Sequence, residues 1–217
     1  MGDAPHTPGM VIHHAAGYDF LVRVLTLGRE RAFRERLLGP ARLESGESVL
    51  DVGCGTGSLA LVARRIVGPR GEVHGVDPSP EMIARASDKA RKARLVIQFK
   101  TGVAESLNYP DGRFDVVLST VMLHHLPKTI RQQAVREMRR VLKPSGRLFA
   151  VDFVRSPGPH RGLRAHFHRH GRIDPRDFEA LIKNAGLDVV ESAPVGKWDL
   201  QYVIGRHARP EPRRNDV

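Results

Sequence analysis

Three glycines at alternating positions, Gly53, Gly55 and Gly57, follow the apolar run Val49-Leu50-Asp51-Val52 and lead into a helix-like stretch. Glycines so placed let a ligand approach the backbone and allow dihedrals closed to other residues. Strand-to-helix turns of this kind bind nucleotides in general. Their details narrow the ligand. Ser58 stands where a dinucleotide fold would put its third glycine, and no Gly-Lys-Ser/Thr ending marks a phosphate-cradling loop. Asp51, two residues before the first glycine, suits a ligand that carries an ammonium rather than a pyrophosphate. A second acid, Asp77, ends the run Val73-His74-Gly75-Val76, 20 residues after Gly57. A carboxylate there can accept both hydroxyl hydrogens of a ribose. Pro78-Ser79-Pro80 then opens a helix, with Ser79 as N-cap and Glu81 in the first turn.

Other chemistry-bearing residues lie further along. His124 and His125 follow a short β-branched run ending at Ser119, at the strand ends where open α/β sheets place ligands. Either one of them is a base or orients an acceptor, or both are structural. His160, His166, His168 and His170 form a cluster without cysteines and without helical i, i+4 spacing, which argues against a metal site. They fit a basic, aromatic lid over an acidic or quinone-like acceptor, and equally a plain surface loop. Cys54, inside the glycine turn, is a small packing residue to which no chemistry is assigned.

Elements able to position these groups follow from periodicity. Strands are expected at Ser48–Val52, Glu72–Val76, Ile97–Thr101, Val116–Ser119, Arg147–Asp152, Leu187–Ser192 and Leu200–Gly205. Helices are expected near Gly57–Val67, Pro80–Ala93, Lys128–Val141 and Pro175–Ala185, the last with Asp174 as N-cap and Gly186 as C-cap. The alternation predicts an α/β fold: a Rossmann-like, seven-stranded, mostly parallel sheet with an antiparallel last strand and helices on both faces. Two amphipathic segments, Tyr18–Leu27 and Arg29–Leu38, precede the first strand and should cover the sheet's edge or mouth. The expected division is a helical lid over 1–45, a ligand-binding domain over 46–206 and a disordered tail over 207–217. The long Gly-, Pro-, Arg- and His-rich connection from Val154 to Ile173 has the character of a lid or binding loop.

Composition bounds the partners. The 217 residues carry 35 Lys and Arg against 24 acids, a net charge of +11. That balance favours anionic partners, or else reflects arginine scattered over solvated faces. Nucleic acid is the less favoured partner, for there is no RNA-binding motif and no aromatic platform. No apolar run is long enough to cross a bilayer, no leader-like N-terminus is present, and the single cysteine cannot form an internal disulfide, so the expected location is cytoplasmic.

Taken together, VLDVGCGTGSLAL, GVDPSPEMI, FDVVLSTVMLHHL and REMRRVLKPSGRLFAVDF resemble, in order, the motifs of the class I S-adenosylmethionine-dependent methyltransferases, across Ser48–Phe153. The stretch GYDFLVRVLTLGRERAFRERL is similar to the ubiquinone/menaquinone C-methyltransferase (UbiE-like) branch. This resemblance implies that Gly53, Gly55 and Gly57 line the methionine and ribose of the cofactor, with Asp51 ordering the turn and attracting the ammonium. Asp77 would hold the ribose hydroxyls, with Pro78, Ser79 and Met82 beside the adenosine. Relatives carry an acid at the adenine edge where this chain has Val103; the adenine N6 contact would then come from backbone or water, or be absent, while Ala104 gives its amide to the ring. Ser119 and Thr120 would approach the methionine end. Tyr18, His166 and His168 would contact the acceptor. The implied activity is methyl transfer to a small or lipophilic acceptor, quinone or phenolic first. The alternatives are N-methylation of an aminophospholipid at an anionic membrane surface, with peripheral membrane contact, and a non-catalytic cofactor-binding regulatory module. A nicotinamide-dependent oxidoreductase is disfavoured by the absent third glycine.

Overall fold

A computed structural model of the chain describes residues 30–154, 173–195 and 199–208. Helix α1 (Glu30–Leu38) and a short 3-10 turn (Gly39–Ala41) lead into β1 (Ser48–Val52), α2 (Ser58–Val67), β2 (Glu72–Asp77), α3 (Pro80–Lys92) and β3 (Gln98–Thr101). Then come β4 (Phe114–Thr120), a 3-10 turn (Leu123–His125), α4 (Lys128–Val141), β5 (Leu142–Phe153), α5 (Pro175–Asn184), β6 (Leu187–Val195) and β7 (Leu200–His207). Tyr18, the first amphipathic segment, the four histidines from His160 to His170 and residues 209–217 lie outside the described residues.

The seven strands form one sheet in the order β3-β2-β1-β4-β5-β7-β6. Neighbours run parallel up to β5, and β7 is antiparallel to both β5 and β6, as expected. Every residue of β1 is buried, as befits a central strand covered on both faces. Strand alternation sends Val49 to one side, against Leu38, Leu59, Ala63 and Phe149. Leu50 goes to the other, with Val117, Met138, Leu148, Phe178 and Ile182. Phe114, Phe149 and Phe178 are wholly buried, and truncating any of them to alanine should cost ~3–5 kcal/mol.

Leu37 and Leu38 of the second amphipathic segment, together with Ala41 just beyond it, belong to this core and pack beside α2. Buried Arg147 ties down the connection that follows. Its guanidinium donates to the carbonyls of Ala41 (2.7 Å) and Arg42 (2.6 Å) and to both carboxylate oxygens of Glu47 (2.7 and 3.0 Å).

Five strands, β2, β4, β5, β6 and β7, run beyond their expected lengths, and two of the extensions contain proline. β5 begins directly after α4, because Phe114 pairs with Leu142 before the register shifts and resumes at Val116↔Arg147. The intervening Lys-Pro-Ser-Gly has turn composition, yet Lys143 stays against the sheet by donating to both Asp115 oxygens (2.9 and 2.8 Å). β6 continues through Pro194 to Val195, tolerable because it is an edge strand with a partner on one side only.

The feature that makes a site is the change of direction. From β1 the chain steps outward through β2 to β3, then returns so that β4 lies on the opposite side of β1. Loops leaving β1 and β4 therefore diverge, and a crevice opens beyond the C-terminal ends of the strands.

Candidate functional site

That crevice is lined by the C-terminal ends of β1, β2 and β4 and by the turn that follows β3. After β1, Gly53, Gly55 and Gly57 have φ of +73°, +52° and +74°, a region that L side chains rarely adopt. Gly53 and Gly55 line the crevice, and a Cβ on Gly55 would project into open space. On Gly53 a Cβ would meet the Met122 side chain within 2.4 Å. Gly57 has a different task from the one expected. It does not border the crevice; its missing Cβ makes room for Phe99 and Ala86, 2.7 and 2.8 Å from where that atom would sit. It is a packing glycine that lets α2 settle against α3 and β3.

Asp77 lines the crevice and braces it at the same time. One carboxylate oxygen accepts from the Gly55 amide at 2.9 Å and the other from the Ser79 amide at 3.0 Å. Each oxygen retains a lone pair for a further donor. Burial raises its pKa, and the Ser79 and Gly55 amides work against that rise. Asp51 is more extreme. Its residue is 1% exposed, and neither carboxylate oxygen has a hydrogen-bond partner. Burial pushes its carboxyl up to about 7, with the positive charge of Arg34 opposing and the negative charge of Asp77 adding. A buried carboxylate facing a crevice without a donor is suited to a cationic ligand group. Cys54 beside it has its thiol pushed well up by burial and by both acids, so it is no thiolate nucleophile.

Pro78 and Met82 line the crevice, whereas Ser79 does not. Ser79 is buried as the N-cap of α3, its hydroxyl accepting from the Met82 amide at 3.3 Å. Beyond β3, Val103 and Ala104 line the same wall. At the end of β4, Thr120 borders the crevice, while Ser119 is buried behind it with its hydroxyl unpartnered. The next residue, Val121, also borders the crevice and holds φ +53°, a costly conformation for a β-branched side chain.

The two histidines separate in role. His125 lines the crevice, and burial together with the adjacent His124 lowers its pKa to about 4, leaving the imidazole neutral at pH 7. His124 does not line it. Its Nδ1 lies 2.6 Å from Oδ1 of Asp152, its amide donates to Oδ2 at 3.1 Å, and its ring sits 3.9 Å from that of His125. Asp152 is fully buried at the end of β5. The pairing holds His124 in a fixed orientation, with Nδ1 as the protonated nitrogen and Nε2 as the free acceptor when Asp152 is ionised.

Several lining residues are not among the expected site residues. Arg34 reaches the crevice from α1, Glu105 from the turn after β3 and Met122 from the turn after β4. Lys89, one of the outer supports, donates to the hydroxyls of Thr56 (2.8 Å) and Ser58 (2.9 Å) and ties α3 to the start of α2. Asp152 did leave a trace: like Asp77, it is an acid ending a β-branched strand. Among the described residues no group of three or more His, Cys, Asp and Glu could hold a metal, and no helix is long and apolar enough to cross a membrane.

Residues 49–146 match the family model described as a methyltransferase domain. The chain is 38% identical over 92% of its length to the demethylmenaquinone methyltransferase of Deinococcus radiodurans, covering 77% of that protein. It is 33% identical over 76% of its length to the 27-O-demethylrifamycin SV methyltransferase of Amycolatopsis mediterranei. It is 34% identical over 73% of its length to the ubiquinone/menaquinone biosynthesis C-methyltransferase UbiE of Bordetella avium. Of these last two relatives the chain spans 62% and 61% of the length. Among solved structures, a SAM-dependent methyltransferase from Aquifex aeolicus shares the fold, with a TM-score of 0.68 at 24% identity over 79% of this chain and 88% of that one.

Proposed function

Because the chain belongs to the class I S-adenosylmethionine-dependent methyltransferases, with UbiE-like relatives, we propose that it transfers a methyl group from that cofactor to a small or lipophilic acceptor of the quinone or phenolic type. The observation that carries the cofactor half is the donorless, buried Asp51 carboxylate beside Asp77 in a crevice floored by Gly53 and Gly55. These residues fit S-adenosylmethionine: Asp51 would receive its ammonium, Asp77 its ribose hydroxyls, and the Gly55 cradle its backbone-close middle. When bound, the cofactor supplies a methyl group already activated by the positive sulfonium. What remains for the protein is to align the acceptor in line with that methyl and to exclude water.

His125, neutral and bordering the crevice, would form the acceptor-side wall and accept a hydrogen bond from a hydroxyl. His124 stands behind it, outside the crevice lining; held by Asp152 and with its ring 3.9 Å from that of His125, it would fix the orientation of His125 toward the acceptor. Support for a quinone acceptor comes from the relative named for demethylmenaquinone, and support for transfer to oxygen from the one named for a 27-O-demethylrifamycin. The net charge of +11 supports peripheral contact with an anionic membrane, into which a lipophilic acceptor would partition. Tyr18, His166 and His168 belong to the same proposal as acceptor contacts.

The test is transfer of isotope-labelled methyl from S-adenosylmethionine to a panel of demethylated quinones, phenols and aminophospholipid vesicles. Label in a quinone or phenol is expected. Label only in the phospholipid would replace this acceptor with the headgroup amine. Cofactor binding with no label in any class would favour the non-catalytic module.

A further inference from the structure

Val103 stands where the family resemblance implies an acid at the adenine edge, yet an acid, Glu105, is present two residues on. The geometry points to Glu105 as the group that recognises the exocyclic amine of the cofactor's adenine, in place of a carboxylate at 103. This assignment rests on the cofactor reading above and deepens it.

Three observations carry it. Glu105 lines the same crevice as Val103, Ala104 and Asp77, and its Oε2 is buried without a hydrogen-bond partner. A buried carboxylate oxygen lacking a donor is costly unless a ligand supplies one. Second, the order of the strand ends fixes what comes within its reach. Asp51 ends β1's side of the crevice, Asp77 ends β2, and the turn after β3 is the next stop in the sheet order β3-β2-β1. A ligand with its ammonium at Asp51 and its ribose at Asp77 extends its base toward that turn. Third, the turn is fixed. The Ser106 amide donates to the Val103 carbonyl (3.3 Å), Gln133 Nε2 to the Glu105 carbonyl (3.2 Å), and the Leu107 amide to Glu137 Oε2 (2.9 Å). Two residues of α4 thus clamp the backbone on either side of Glu105, so its side chain is presented from a rigid base.

A carboxylate only accepts hydrogen bonds, and the 6-amino group of adenine only donates them here, so the pair is matched. A 6-oxo purine would oppose oxygen to oxygen and be rejected. Glu105 is thereby a specificity residue for the base rather than a contributor to methyl transfer itself.

The experiment is a calorimetric double-mutant cycle with S-adenosylhomocysteine and its 6-desamino analogue, in which purine replaces adenine. The parent should bind the analogue roughly tenfold more weakly than S-adenosylhomocysteine. Glu105→Ala should bind S-adenosylhomocysteine roughly tenfold more weakly than the parent does and no longer distinguish the two ligands. Glu105→Gln, which keeps the shape and one acceptor oxygen, should fall between them. Equal binding of both ligands by the parent, or undiminished discrimination by Glu105→Ala, would overturn the assignment while leaving the cofactor reading intact. Failure of the parent to bind S-adenosylhomocysteine at all would overturn both.

Discussion

The two ends of the crevice are made of different material. The end beyond β1 and β2 is backbone and short acids: Gly53 and Gly55 at positive φ, Asp77 gripping two amides, Asp51 buried behind them. The end beyond β4 and β5 is side chains brought together from afar, with His124 and Asp152 separated by 28 residues and Met122 pressed over Gly53. The first is built to hold one ligand rigidly. The second is a pair of imidazoles on a strained turn, which other acceptors could use with modest change. Such a division lets a fixed cofactor site serve varied acceptors.

The difference can be broken from the acceptor side first. Asp152→Asn should leave S-adenosylhomocysteine binding unchanged while lowering methyl transfer to a phenolic acceptor ~10²-fold, because His124 loses the partner that holds it, and with it the His125 ring that faces the acceptor. A fall in cofactor affinity of the same size would mean that the two ends are not separate.

Next in size is Asp77→Ala, which should weaken S-adenosylhomocysteine by ~1–3 kcal/mol in calorimetry, removing charge-assisted bonds to the ribose and the brace on Gly55. Unchanged affinity would show the ribose to lie elsewhere.

Asp51 sharpens the comparison through pH. Its carboxyl titrates near 7 in the fold against an ordinary 3.8, and it should receive an ammonium only when ionised. Binding should therefore release a proton and weaken as pH falls below about 7, by up to ~10-fold per pH unit. Its contribution to stability runs the other way: present below pH 3.8, it is lost as pH rises through about 7. Asp51→Asn should thus bind more weakly, lose this pH dependence, and melt at a higher temperature than the parent at pH 8. A pH-independent affinity in the parent would remove Asp51 from the ligand.

The smallest effect concerns Gly57→Ala, which should cost ~1–3 kcal/mol of stability in urea melts, from the strained φ and the contact with Phe99. Its affinity for S-adenosylhomocysteine should change little, unlike that of a variant at Gly55.

What the sequence makes legible follows the same division. A strand-to-helix glycine turn, a strand-ending acid, a Ser-Pro cap and a Gly186 C-cap are local chemistry, readable from a few adjacent residues, and each element they announce is present. Gly57 was placed in the turn for a ligand, but Phe99 and Ala86, far along the chain, decide that it packs instead. Ser79 and Ser119 have the right type and position yet point away from the crevice, one satisfied as a cap and the other buried behind its strand. Arg34, Glu105 and Met122 are brought to the crevice by tertiary packing, and neither their residue types nor their spacing marks them as lining residues. The five-residue N-terminal extension of β5 is hidden by Pro144 and Gly146, residues of turn composition that lie beside a register shift where Lys143 holds Asp115.

The most direct measurement is calorimetric titration of the purified protein with S-adenosylhomocysteine, alongside NAD and NADP. Saturable micromolar binding of S-adenosylhomocysteine at one site, with neither dinucleotide bound, is the predicted result. Tight binding of NAD or NADP with none of S-adenosylhomocysteine would contradict the assignment of Asp51, Asp77 and the glycine turn to this cofactor.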